Sequence, residues 1–168
     1  MWDTVGMLQW TLVKLVDGLE LRLVASTSGI RAIDFEIARP VAAEPGPQNP
    51  LLAEAAHQLQ AYFAGQLRQF RLPLDLHGTA FQKRIWQELE RIPYGETRSY
   101  RQIAEAIGTP QAVRAVGAAN GANPVPIVVP CHRVVGSSGK LVGYGGGLPL
   151  KKRLLELEGA RAMELRYA

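Results

Sequence analysis

Four prolines, at positions 40, 45, 47 and 50, fall in one short stretch of the chain. Each fixes φ at about −65° and removes an amide donor, so the segment 40–50 is expected to hold no regular structure. Whatever lies on either side must fold as separate elements. Before it, residues 8–16, 19–26 and 30–38 read as strands. They are separated by Asp17-Gly18 and Ser28-Gly29, dipeptides that suit tight turns between antiparallel strands. After it, residues 51–65 read as a helix with Leu52, Ala55, Ala56, Leu59 and Phe63 along one face. This half carries no catalytic motif, and the isolated His57 and His77 read as surface or capping residues.

The second half changes character. Thr79-Ala80-Phe81-Gln82 has the Thr and Gln of a capping box, and the helix it opens runs through Ile85, Trp86 and Leu89 until Pro93 and Gly95 end it. Ser99-Tyr100-Arg101-Gln102 repeats the signal for a short helix to Ile107, with Gly108 as its stop. Thr109-Pro110 then reads as a cap and first-turn proline before a helix from Gln111 to Ala119. Two short helices joined by a tight glycine-containing turn form a helix-turn-helix pattern, which all-helical cores also use. The second of these helices is rich in small residues, Ala112, Ala115, Gly117, Ala118 and Ala119, with Arg114 among them. One reading packs them on a core with Arg114 in water; the other lays the helix in a DNA groove with Arg114 entering the base stack.

Charge divides the same way. Residues 1–75 hold six Lys/Arg and eight Asp/Glu; residues 76–168 hold thirteen and seven. A basic second half is what contact with a polyanion requires, although a solvated basic surface has the same composition. The expected organisation is therefore two domains, 1–75 and 76–168. With 47% hydrophobic and 20% charged residues the chain has the composition of a soluble globular protein. No apolar run approaches the roughly 20 residues of a membrane span. No secretory signal is evident, and a lone cysteine forms no internal disulfide, so a cytoplasmic setting is expected. Metal sites built from several thiolates are excluded, no cofactor fingerprint is present, and nothing demands more than a monomer.

The chemistry concentrates at Pro130-Cys131-His132-Arg133-Val134, after an apolar, strand-like run at 127–129. A lone cysteine in an apolar setting is ordinarily an inert small hydrophobe. Here a potential base adjoins it, which makes it a candidate nucleophile. The run Gly145-Gly146-Gly147 with Lys151 and Lys152 lacks the spacing of a phosphate loop and reads as a turn before the last helix.

Taken together, Tyr94-Gly95, Ser99-Tyr100, Arg114-Ala115-Val116-Gly117, Asn123-Pro124, Pro130-Cys131-His132-Arg133-Val134, Tyr144-Gly145-Gly146-Gly147-Leu148 and Glu158-Gly159 resemble the O6-alkylguanine-DNA alkyltransferases. The first half resembles that family only in general form. The resemblance implies an α+β fold: a small N-terminal ribonuclease-H-like antiparallel sheet with a helix, then a mainly helical C-terminal domain containing the helix-turn-helix. It implies repair of double-stranded DNA by irreversible, single-turnover transfer of an alkyl group to Cys131 from O6-alkylguanine, with O4-alkylthymine as a second lesion. It further implies that His132, through a water, and Glu158 take the thiol proton. Asn123 is then a hinge, Tyr100 a hydrogen-bond donor to the guanine ring, and Val134, Ser137, Tyr144 and Gly145 the base pocket. Arg114, with Ser99, Arg101, Ala112, Ala115 and Gly117, is implied to meet DNA from the minor groove while the target base is flipped out. A non-catalytic sensor of alkylated DNA is the alternative, against which Cys131 itself speaks; a cysteine hydrolase would turn over.

Overall fold

Gln9–Lys14 (β1) and Glu20–Ala25 (β2), joined by the Asp17-Gly18 turn, form an antiparallel pair in which Val13 faces Leu21. Ile30–Asp34 (β3) adds to the far edge of β2. In the computed structural model, residues 7–160 and 166–167 are described. The chain divides into two compact units, Met1–His77 and Gly78–Ala168.

The first unit holds a four-stranded sheet in the order β3-β2-β1-β4. Its last strand corrects the expectation for the proline segment: Glu44–Pro45 (β4) pairs in parallel with Gln9 and Trp10. Pro45 is tolerated because its neighbours supply the donors, the Glu44 amide to Leu8 O and the Gly46 amide to Trp10 O, each at 2.9 Å. Helix α1 (Pro50–Phe63) starts where Asn49 Oδ1 accepts the Leu51 and Leu52 amides at 2.9 and 3.2 Å, with Pro50 in the first turn. Leu52, Ala55, Leu59 and Phe63 are buried as expected, whereas Ala56 is half-buried and Gln58 and Tyr62 lie on the buried face instead. Gln58 is satisfied there by a two-way amide pair with the Arg71 backbone, at 2.9 and 3.1 Å. His57 is exposed, and His77 bonds Asp75 at 3.0 Å.

The second unit opens with α2 (Ala80–Glu90) and its complete Thr79/Gln82 capping box. The strand β5 (Arg98–Ser99) leads into α3 (Tyr100–Ala106), where Ser99 and Gln102 form the second box. The following helix, α4 (Val113–Gly121), starts later than its sequence signals imply. Thr109-Pro110 is no cap: the Ala112 amide donates to Thr109 O, which closes a turn there, and Ala112 precedes the helix without any side-chain cap. Helices α2 and α4 are tied by the buried Trp86, whose indole N–H donates to Ala119 O at 2.9 Å. Ile85 and Leu89 of α2, Ile103 of α3 and Val116 of α4 are buried as well.

Residues 127–129 form no strand either. They lie in a tight loop in which Pro126 bridges Val129 and Ile127 adopts φ 74°. Cys131–Arg133 then make a single 3-10 turn, followed by β6 (Val134–Val135), which pairs in parallel with β5. Next come β7 (Lys140–Leu141) and α5 (Leu148–Leu157). A backbone pairing of β8 (Arg166–Tyr167) with β7 closes the unit.

Candidate active site

Cys131 is 5% exposed, and the loop that carries it is shaped by Asn123. That side chain accepts the Val125 amide at 3.0 Å and donates to Val129 O at 2.8 Å, spanning the turn that separates α4 from the cysteine. Within the turn Ile127 is strained, because a β-branched residue at positive φ sets its Cβ against its own backbone. Asn123, expected as a hinge, makes the two hydrogen bonds that hold this disfavoured loop.

His132 is wholly buried, and its Nε2 sits 2.8 Å from Glu158 Oε2. Glu158 lies just past the end of α5, on the same face as Leu154 and Leu155. It also receives Arg133 through Nε at 2.8 Å and Nη2 at 3.0 Å, while Arg133 Nη1 donates to Ile92 O at 2.7 Å. Burial alone would raise the Glu158 carboxyl, but hydrogen bonds from His132 and Arg133 outweigh it and hold the group at about 2. An ionised carboxylate can only accept, so Nε2 carries the imidazole hydrogen and Nδ1 keeps its lone pair. That Nδ1 is buried without a hydrogen-bond partner. Burial lowers the His132 pKa against the pull of Glu158, so the ring is neutral at pH 7. Burial pushes the Cys131 thiol up to about 11 despite a hydrogen bond from Asn123. The resting pair is a neutral thiol beside a neutral base.

Around them stand residues for which no role was expected. Arg133, read only as part of a motif, is one. Lys151 is another: it is fully buried, and its Nζ donates to Val142 O at 3.2 Å and Gly143 O at 3.3 Å. It also lies 6.0 Å from the centre of the Tyr100 ring. Burial brings its pKa down to about 8 although Cys131 favours its charge. The signal was a cation in the apolar stripe Leu148, Lys151, Leu154, Leu155 of α5. Tyr100, expected to address a base, donates its hydroxyl to Val142 O at 2.9 Å. Asn120, on the last turn of α4, is 6% exposed and donates through Nδ2 to Cys131 O at 3.4 Å.

The remaining expected residues are spread around this centre. Val134 is buried at the start of β6, Tyr144 is half-buried and Gly145 exposed in the loop before α5, and Ser137 is exposed in the turn between β6 and β7. On the helix-turn-helix, Arg101, Arg114 and Ala115 are exposed, and Ala112 and Gly117 half-buried. Ser99 spends its hydroxyl on the α3 cap, accepting the Gln102 amide at 3.1 Å. A Cβ on Gly117 would meet only the Tyr100 ring, at 3.9 Å, so packing within the unit does not demand glycine there. Among the described residues no group of three or more His, Cys, Asp or Glu could hold a metal ion.

Comparison with known proteins places this geometry. Residues 9–76 match the family model described as the ribonuclease-like domain of 6-O-methylguanine DNA methyltransferase, and residues 80–160 match its DNA-binding domain. The methylated-DNA–protein-cysteine methyltransferase of Mycobacterium leprae is 63% identical over 112 residues, covering 67% of this chain and 68% of that protein. The constitutive enzyme of that name from Bacillus subtilis is 57% identical over 112 residues, covering 66% and 68%. Among solved structures, the Mycobacterium tuberculosis OGT in complex with DNA superposes with a TM-score of 0.83 at 46% identity, covering 92% of this chain and 97% of that one.

Proposed function

The chain belongs to the O6-alkylguanine-DNA alkyltransferase family, and from that premise we infer how its own residues repair DNA by transferring an alkyl group to cysteine. The acceptor is Cys131, the single cysteine of the sequence. The observation that carries this reading is the orientation of His132: Glu158 holds Nε2–H, which leaves Nδ1 as a buried, unpartnered base in the residue next to the only thiol. A positioned base of this kind contributes about 10²–10⁴-fold to a proton transfer.

In the proposed reaction the thiol proton passes to His132 Nδ1 through one water. Sγ attacks the alkyl carbon of an O6-alkylguanine flipped from double-stranded DNA, the S–C bond forms, and the C–O bond breaks with its electrons left on the base. Glu158 stabilises the imidazolium that results. Tyr100 turns its hydroxyl from Val142 O to the guanine ring and donates there as negative charge develops. Lys151 stands 6.0 Å from the Tyr100 ring as a cation, so charge arriving on Tyr100 is compensated. The thioether product has no leaving group that water could displace, so each molecule acts once and works as a monomer. The base pocket is formed by Val134, Ser137, Tyr144 and Gly145. Arg114 on α4 fills the gap left by the flipped base, and the small residues Ala112, Ala115 and Gly117 let the helix approach the minor groove.

The sensor reading finds no support, since a sensor needs neither thiol nor base. Intact-protein and peptide mass spectrometry after incubation with a duplex containing O6-methylguanine tests the assignment. The peptide bearing Cys131 should gain one CH2, and Cys131→Ser should leave the protein unmodified. A methyl group on any other residue would overturn it.

A further inference from the structure

Arg133 has no part in the mechanism above, yet every nitrogen of its buried guanidinium is engaged. Nε donates to Glu158 Oε1 at 2.8 Å and Nη2 to Oε2 at 3.0 Å, while Nη1 donates to Ile92 O at 2.7 Å. Its Cζ stands 5.8 Å from the centre of the Tyr94 ring. Oε2 also lies 2.8 Å from His132 Nε2, so two consecutive residues of one turn share a single buried carboxylate.

That carboxylate sits at the C-terminal end of α5, where the helix dipole opposes a negative charge. Left without a cation it would draw a proton onto His132, since an imidazolium is the compensating charge that could form in place. Arg133 supplies the compensation as a fixed positive charge. A second cation on His132 would then leave the cluster positive. The charged and titratable groups around the imidazole are Cys131 and Arg133 of its own turn, with Tyr94 against Arg133, and Lys151 and Glu158 of α5 and its cap. Only Glu158 favours the imidazolium; Arg133 and Lys151 oppose it, and the buried face of α2 adds the apolar Ile85, Trp86 and Leu89. We propose that Arg133 is a positioning residue that acts through Glu158: by engaging both carboxylate oxygens it aims Oε2 at His132 Nε2 and cancels the carboxylate's charge, so that the imidazole rests as a free base. The assignment rests on the alkyl-transfer reading given above.

Single-turnover rates of the full chain on free O6-methylguanine, measured against pH, test this together with an NMR titration of the imidazoles. The sequence has three histidines, so the His132 signal is identified by its loss in His132→Ala. In Arg133→Met the midpoint of the acid limb, and the His132 titration with it, should move up by about one to three pH units, the range a neighbouring charge imposes. Arg133→Gln, closer to the native polarity, should do the same. Arg133→Lys keeps a charge without the two-pronged contact, so its limb should stay near the native position with a lower plateau. Removing both charges in Arg133→Met/Glu158→Gln should bring the limb back down. The position of the limb, unlike the size of the rate, does not depend on how much of a variant folds, and damage to the fold alone would leave it in place. A limb and a His132 titration unmoved in both Arg133→Met and Arg133→Gln, or a limb that stays raised in the double variant, would overturn the role of Arg133 while leaving transfer to Cys131 intact. Failure of an O6-methylguanine duplex to methylate Cys131 of the native protein would overturn the transfer reading and this assignment with it.

Discussion

Cys131 must be buried enough to exclude bulk solvent from the transfer yet give up a proton that burial makes hard to lose. The site meets both demands by keeping thiol and imidazole neutral at rest and by orienting the imidazole with a carboxylate that two partners keep ionised. His132→Ala should therefore slow alkylation of Cys131 by about 10²–10⁴-fold. The pH profile has a defined sign. His132 has a pKa lowered below 6.5, so it stays a free base in mildly acidic solution. The native rate should hold through pH 6.5 and fall only as the pH drops through that lower value; in His132→Ala this acid limb should vanish. Rates measured with a small O6-alkylated base, which needs no flipping, check both; a native acid limb centred above 6.5 would contradict the assignment. The adjacency of Cys131 and His132 was legible in the sequence, but Glu158 came only from the family resemblance. Lys151, Arg133 and Asn120 were not legible, because whether a polar side chain is buried depends on contacts made by distant elements.

At the scale of elements, local signals were read well where the chain satisfies its own backbone and poorly where tertiary contacts decide. Both capping boxes, at Thr79/Gln82 and Ser99/Gln102, form as their spacing implies, since each needs only residues within one turn. The three strands also appear, shorter than the sequence pattern suggests, and α1 starts one residue before and ends two residues short of its expected span. The apolar run 127–129 was misread because buried apolar residues look the same in a strand and in a core-facing loop; Asn123 decides between them. Thr109 was misread for a related reason. Its sequence context fits a helix cap, but its hydroxyl is buried without a partner and caps nothing. Thr109→Val keeps the side chain's shape and removes that unsatisfied group, so it should stabilise the protein by about 1 kcal/mol. Thermal or urea unfolding measures this, and a destabilised variant would show that the hydroxyl is in fact hydrogen-bonded.

For the whole molecule, a neutral-to-acidic first half and a basic second half concentrate positive charge on the unit that carries both helix-turn-helix and thiol. Affinity for undamaged duplex should fall with rising salt as counterion release requires. Arg114, exposed on α4, gives a sharper test. Arg114→Ala should slow repair in duplex DNA far more than reaction with a free alkylated base, since only the first requires the gap in the stack to be filled. Equal losses on both substrates would place Arg114 in the pocket or the fold instead. Transfer to a single thiol with no route back also makes the protein a reagent, consumed in proportion to what it repairs. Titrating a fixed excess of O6-methylguanine duplex with limiting protein, and counting restored guanines after the reaction stops, measures this most directly. One guanine restored per molecule, with every Cys131 methylated, is the predicted result; several restored per molecule, with Cys131 recovered unmodified, would contradict it.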